Sequence, residues 1–124
     1  MEKKLLNDLA ANGCSVAQAL NDTFLGNEDF YVRVFGRLSS NTALARLEQS
    51  LASNDVKGVF EAAHELKGMY GNLGLTPLYG CVCIIVETAR AGSLNGIAER
   101  LPELKELHAR IVALGRNGLV GAAD

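Results

Sequence analysis

The sequence has no excess of positive charge and no long apolar run. Its net charge is −2 and its pI is about 5.7, so it lacks the basic surface that is typical of a nucleic-acid-binding domain. The longest apolar run, residues 81–86, is far shorter than the roughly 20 residues that cross a bilayer. The N-terminus enters an amphipathic pattern at once, without the apolar core of a signal peptide. We therefore predict a cytoplasmic protein that binds neither nucleic acid nor membranes.

Cysteine is scarce as well. The sequence has three cysteines, Cys14, Cys81 and Cys83. An odd number favours reduced thiols over a disulfide framework. On a helix, the side chains of Cys81 and Cys83 would point about 200° apart, so they would neither share a metal nor pair, and no spacing matches a zinc site. The chain also has no Walker A loop and no Gly-x-Gly-x-x-Gly motif, so we expect neither ATP binding nor self-phosphorylation. We predict no metal or cofactor of its own.

What is present is the composition of one globular domain. The 124 residues are 48% hydrophobic and 21% charged, which is enough for a single core. Apolar residues recur at helical spacing between helix start and stop signals. Typical helix starts are Ser15, Asn27, Asp55 and Thr76-Pro77, and typical ends are Gly74 and Gly92. The pattern predicts an all-α fold, most simply an antiparallel helical bundle.

Three segments are ambiguous. Residues 31–35 alternate like a strand and residues 81–86 are rich in β-branched residues, but two strands do not make a stable sheet, so we predict helix for both. Pro102 is expected to kink or restart the last helix. We assign residues 1–116 to one domain and expect residues 117–124 to be a frayed tail. The start at Met1 favours a stand-alone protein.

The fifth predicted helix carries the candidate site. At about 100° per residue, seven apolar residues form its core face: Val56, Val59, Phe60, Ala63, Leu66, Tyr70 and Leu73. His64 falls on the flank, roughly 120° from the centre of that face, and is expected to point to solvent. The other histidine, His108, follows the apolar stripe of the last helix and is expected at the edge of the core.

The residues around His64 are unusual for a purely structural helix. Lys67 lies one turn on, and Gly68 and Gly71 flank the same side, while Lys57 and Glu61 complete the exposed rim. Each glycine inside a helix costs about 1 kcal/mol relative to alanine, and close approach of another molecule is one reason to accept that cost. Tight packing between helices is another reason, so both explanations stay open at this point.

An exposed imidazole beside a lysine suggests a nucleophile that takes up a phosphoryl group. Imidazole is substantially neutral and nucleophilic near pH 7, and a lysine supplies a point charge for phosphoryl oxygens. The bland alternative is a solvated surface histidine next to an ordinary surface lysine.

The stretch from Ala63-His64-Glu65-Leu66-Lys67-Gly68 through Asn72-Leu73-Gly74 to Leu78 resembles the signature of histidine-containing phosphotransfer (Hpt) domains. The likeness extends to residues 30–35, to Asp55 and to Val86-Glu87 with Arg90 and Gly92. It implies a four-helix bundle with short additional N-terminal helices. It further implies that His64 is phosphorylated, that Lys67 helps to hold the phosphoryl group and that Gly68 leaves room for a partner. Met69 and Leu75 depart from the usual small residues, and Met69 is expected to point away from His64.

The resemblance also implies partners. They are a response-regulator receiver domain, which would bring the aspartate and Mg²⁺, and a hybrid sensor histidine kinase. The chain would then be a phosphorelay intermediate and not an ATP-dependent kinase, with Lys57, Glu61, Gly68 and Gly71 contacting the partner. One alternative is a docking module that binds receivers or kinases without being phosphorylated. A weaker one is a dimerising, kinase-like bundle. Because the chain has enough helices to complete a bundle alone, we predict a monomer.

Overall fold

The structure, a computed structural model, describes the backbone of residues 2–123 and the side chains of residues 3–115. Over the described backbone the chain forms seven α-helices, one short 3-10 helix and no strand. The helices are α1 (Glu2–Ala11), α2 (Val16–Asp22), α3 (Glu28–Gly36), α4 (Ala43–Ala52), α5 (Val56–Asn72), α6 (Thr76–Arg90) and α7 (Ile97–Ala123), with the 3-10 helix at Arg37–Ser40. Within that part of the chain, no helix combines the length and the apolar character that a bilayer crossing requires.

Helices α4 to α7 form the bundle. They are joined by short connections at residues 53–55, 73–75 and 91–96, so consecutive helices run antiparallel. Helix α5 packs between α4 and α6, and α7 packs against α6 and α4. The N-terminal helix α1 packs on α7 and contacts α2 and α3. The predicted all-α bundle with short additional N-terminal helices is confirmed.

One continuous core joins the helices. Each of the seven contributes at least one buried side chain, for example Leu9, Val16, Tyr31, Leu47, Leu66, Ile85 and Leu104. The hydroxyl of Tyr31 donates a hydrogen bond to the carbonyl of Leu73, which satisfies a polar group inside the core. Cys14, Cys81 and Cys83 are free thiols. Helix α5 contributes five buried side chains to this core.

The helix starts agree only partly with the sequence. Asn27 and Asp55 cap α3 and α5 as predicted, and each side chain accepts a hydrogen bond 3.0 Å long, from the N–H of Phe30 and of Gly58. Ser15 stands at the N-cap position of α2 as predicted, but its side chain makes no capping hydrogen bond. The predicted cap at Thr76 is wrong, because Thr76 is the first residue of α6 and Leu75 stands at the cap position. The hydroxyl oxygens of Ser15 and Thr76 instead lie 2.9 Å apart. This contact fastens the start of α2 to the turn between α5 and α6.

The two strand-like segments are helical, as predicted. Residues 31–35 lie in α3 and residues 81–86 in α6. Helix α6 is apolar on two sides because it packs against both α5 and α7, which explains its β-branched run without a sheet.

Pro102 lies inside α7, and the helix does not restart there. Proline near a helix start removes one hydrogen bond, and the neighbouring Leu101 and Leu104 are buried in the core. Of the two expected outcomes, the restart is therefore wrong, because packing of the flanking leucines holds the helix through the proline. The kink stays a prediction. The side chains of residues 117–124 lie outside the described ones, so the frayed tail stays a prediction.

Candidate functional site

Helix α5 presents His64 to solvent, as the sequence predicts. The opposite side of the helix is buried through Val59, Ala63, Leu66 and Tyr70. The helix begins after the Asp55 cap and ends before Gly74, whose φ is +69°. Both ends of α5 are therefore defined by local structure. The imidazole therefore stands outside the core on a rigid element.

The predicted core face needs one correction. Val56 and Phe60 are only half-buried, whereas Ala62, which is outside the predicted stripe, is buried. Helix α5 has neighbours on two sides, α4 and α6, so its buried arc is displaced and wider than the stripe. Phe60 lies at the edge of that arc, on the side of His64.

Phe60 is an aromatic neighbour of His64 on the same helix. The two ring centroids are 5.6 Å apart and the ring planes differ by 24°, so the rings are stacked. Across the helix pair, the guanidinium carbon of Arg90 lies 5.3 Å from the centroid of the Phe60 ring. Neither nitrogen of His64 makes a hydrogen bond with a described residue. One face of the imidazole is therefore supported while its nitrogens stay open.

A shallow groove of about 260 Å³ lies beside the imidazole. Its lining residues are His64, Lys67, Gly68, Gly71, Asn72 and Tyr79. The structure thus brings four of the six predicted site residues together. Asn72 and Tyr79 were missed. Asn72 lies on the same side of α5 two turns on, so its helical angle was an available signal. Tyr79 comes from α6, and only the packing of the two helices places it there.

The two glycines of the groove differ in their surroundings. A Cβ added to Gly71 would lie 3.1 Å from Cε2 of Tyr79, whereas a Cβ added to Gly68 would have no described atom within 4 Å apart from its chain neighbours and the adjacent backbone of α5. Gly71 therefore serves the close packing of α6 on α5. Gly68 leaves open surface next to His64. Helix packing therefore accounts for Gly71, and the approach of a partner at Gly68 stays a prediction.

The other two predicted rim residues do not line the groove. Lys57 and Glu61 are exposed side chains, 87% and 61% accessible, and their nearest charged atoms are 3.9 Å apart. An exposed pair at this spacing contributes at most a few tenths of a kcal/mol. Their predicted contact with a partner stays a prediction.

The acidic residue next to His64 is held by the neighbouring helix. The Glu65 carboxylate accepts hydrogen bonds of 2.8 and 2.9 Å from Nη2 of Arg46, and one of 3.2 Å from Nδ2 of Asn41. The Arg46 bonds, followed by the Asn41 bond, lower the pKa of the Glu65 carboxyl. Lys67, by contrast, forms no ion pair with any described acidic side chain. The positive charge in the groove is therefore available to a ligand.

The second histidine has a different environment. Nδ1 of His108 lies 2.7 Å from the hydroxyl of Tyr70, and burial lowers the pKa of its imidazole. His108 is half-buried at the edge of the core, as predicted. Met69 is half-buried against the core and is absent from the groove lining, which agrees with its predicted direction.

Comparison with known families gives one match. The family model described as "Hpt domain" matches residues 37–114, which is more than half of the chain. The matched range contains α4, α5 and α6, with the site, and most of α7. No similar curated protein was found, and no solved structure was found to be similar. Hpt domains carry out histidine phosphotransfer in phosphorelays and are typically intermediates rather than kinases.

Proposed function

Since this chain belongs to the Hpt domain family, we propose that it is a phosphorelay intermediate in which His64 carries the phosphoryl group. The donor and acceptor are aspartates of response-regulator receiver domains, and a hybrid sensor histidine kinase stands upstream. The observation that carries the proposal is the environment of His64. Its imidazole is exposed in an open groove beside Lys67, and its nitrogens have no hydrogen-bond partner among the described residues.

The transfer needs little from this chain besides the nucleophile and its placement. A lone pair on a nitrogen of His64 attacks the phosphorus of the aspartyl phosphate, the new N–P bond forms, and the P–O bond to the aspartate breaks. The carboxylate of the receiver takes the electron pair. In the reverse direction, a carboxylate oxygen attacks the phosphorus and the imidazole leaves. Such transfers depend on position and charge neutralisation, which Lys67 and the receiver's Mg²⁺ would supply.

The same surface is proposed to receive the partner. Gly68 leaves the surface beside His64 open, and Gly71 allows the Tyr79 ring to pack closely on α5. A receiver can therefore bring its aspartate to the imidazole. We propose that Lys57 and Glu61, which are exposed, contact the partner at the N-terminal rim of this surface. We propose that residues 1–116 act as one domain and that the protein works as a monomer.

The testing experiment is transfer of label from phosphorylated receivers. A panel of receiver domains is phosphorylated with a labelled small-molecule donor, freed of that donor and mixed with the protein. We expect label to move to this chain, to be labile in acid and stable in base, and to move on to a second receiver. Binding to a receiver without any label would contradict the proposal and support the docking-module alternative.

Replacing Lys67 by alanine is expected to slow transfer roughly tenfold or more, because a charge-assisted contact to the phosphoryl oxygens is lost. The fold should be unchanged, since Lys67 forms no ion pair with a described residue. The measurement is the rate constant of transfer together with the half-life of the phosphorylated chain. Lys3→Ala, which removes the same charge from an exposed position on α1, is the control. Equal rates for both variants would remove Lys67 from the mechanism.

Replacing Gly68 by glutamine is expected to weaken binding of the receiver on the order of tenfold, a loss of about 1.4 kcal/mol. The added side chain fits without a clash, because no described atom apart from its chain neighbours and the adjacent backbone of α5 lies within 4 Å of the new Cβ, and glutamine favours the helix more than glycine does. The new side chain then stands where the partner must approach. The measurement is receiver affinity by titration. Gly36→Gln, which also enters open space and lies outside the groove, should bind like the wild type.

A further inference from the structure

We infer that Phe60 is a positioning residue for phosphotransfer, because its ring stacks on the imidazole of His64 and fixes the orientation of that ring in the groove. The inference rests on the proposed function and adds a residue to it. Phe60 belongs to the apolar pattern of α5, and its sequence position gives no sign of this role. The structure instead places it at the edge of the core, half-buried and in contact with His64.

The stack has the geometry of an attractive aromatic pair. The centroids of Phe60 and His64 are 5.6 Å apart at an interplanar angle of 24°, which lies within the range where aromatic rings attract one another. The two residues are four apart on α5, so their side chains meet on one face of the helix. The contact is thus built into the helix and does not depend on a loop.

Phe60 is itself held by α6. The guanidinium carbon of Arg90 lies 5.3 Å from the Phe60 centroid, and Nε of Arg90 donates a 2.9 Å hydrogen bond to Oε2 of Glu87. A cation over an aromatic ring is attracted to it. The ring of Phe60 is therefore restrained from α6 as well as by the core residues against which it packs.

The imidazole has no other described means of orientation. Histidines that act through one ring nitrogen are usually oriented by a hydrogen bond to the other nitrogen. In His64 neither nitrogen has such a partner among residues 3–115. Stacking restricts rotation of the ring without occupying a nitrogen, so the lone pair stays available to phosphorus. Orientation of this kind raises the rate of a transfer step.

The test compares three variants. Phe60→Leu removes the aromatic face and keeps an apolar side chain against the core, and Phe60→Tyr restores an aromatic ring. Val56→Ala is the matched control, because Val56 is also half-buried on α5 and packs against the core but lies two turns from His64. Any loss of activity through general destabilisation should appear in Val56→Ala as well.

Two readouts are independent of any receiver. The first is the NMR shift of the His64 ring protons, which the Phe60 ring should displace from the values of a solvated histidine in the wild type and in Phe60→Tyr but not in Phe60→Leu. The second is the rate of phosphorylation by phosphoramidate. In that reaction the N–P bond to His64 forms, the P–N bond of the reagent breaks and ammonia leaves. We expect Phe60→Leu to react about threefold to tenfold more slowly, as the loss of one aromatic pair implies.

The receiver assay separates position from docking. Phe60→Leu should lower the maximal transfer rate and leave the receiver concentration at half-saturation unchanged, with Phe60→Tyr close to the wild type. Wild-type His64 ring-proton shifts equal to those of a solvated histidine, or equal phosphoramidate rates in wild type and Phe60→Leu, would overturn the inference. Failure of the wild type to accept label from receivers would instead overturn the proposed function, since neither of the first two readouts uses a receiver.

Discussion

Replacing His64 by glutamine is expected to abolish phosphorylation of this chain by receiver domains, a loss of about 1000-fold or more, because the nucleophile itself is removed. The lone pair of an amide nitrogen is delocalised into the carbonyl, so glutamine offers no nucleophilic nitrogen in that place. The side chain is exposed and has no hydrogen-bond partner among the described residues, so the fold and the receiver affinity should stay close to those of the wild type. The measurement is acid-labile label per mole of protein.

The chain offers a matched control, since it has two histidines. His108→Gln removes the other imidazole, which is half-buried and bonded to Tyr70. This variant should retain label at the wild-type level wherever it is folded, as circular dichroism can verify. Full label on His64→Gln together with loss of label on His108→Gln would contradict the proposal, because the acceptor would then be His108.

Replacing Gly74 by alanine is expected to cost roughly 2–4 kcal/mol of unfolding free energy, through backbone strain and overpacking together. Gly74 has a φ of +69°, and an added Cβ would lie 2.5 Å from the carbonyl oxygen of Ser15 and 2.9 Å from Cβ of Ala19. The obstacle is partly backbone, and the N–H of Ser15 also donates a 2.8 Å hydrogen bond to the carbonyl of Gly74. The start of α2 would have to move off the turn between α5 and α6.

Gly92 provides the comparison for this prediction. Its φ is +83°, and no described atom apart from its chain neighbours lies within 4 Å of an added Cβ, so Gly92→Ala should cost about 1–2 kcal/mol from the backbone alone. Chemical denaturation of both variants measures the difference, which is the contribution of the close approach of α2. Equal losses would show that α2 can move away from the turn without a measurable loss of unfolding free energy.

Helix α5 and most of the candidate site could be predicted from the sequence because they depend on local information. Asp55 as cap, the apolar stripe and Gly74 after the helix are all readable within one segment. A single helix angle places His64, Lys67, Gly68 and Gly71 on one side. Grouping residues within one helix needs no knowledge of its neighbours.

The parts that were not predicted depend on contacts between segments. Ser15 and Thr76 both have the sequence of a helix cap, yet their hydroxyl oxygens meet across 61 residues of sequence separation. Tyr79 reaches the groove, and Arg90 reaches Phe60, only because α6 packs on α5. The restart expected at Pro102 failed for the same reason, since the buried leucines around it are fixed by other helices.

The ion pair between Arg46 and Glu65 affects the electrostatic field at the groove. Among the described charged side chains of α5, Glu65 is neutralised from α4 and Lys57 lies beside Glu61, so Lys67 is left as the uncompensated charge next to the imidazole. The protein as a whole has a net charge of −2 and weakly repels a dianion, and salt screens this repulsion with a Debye length of about 8 Å. The protein therefore combines a negative net charge with an unpaired positive charge in the groove beside His64.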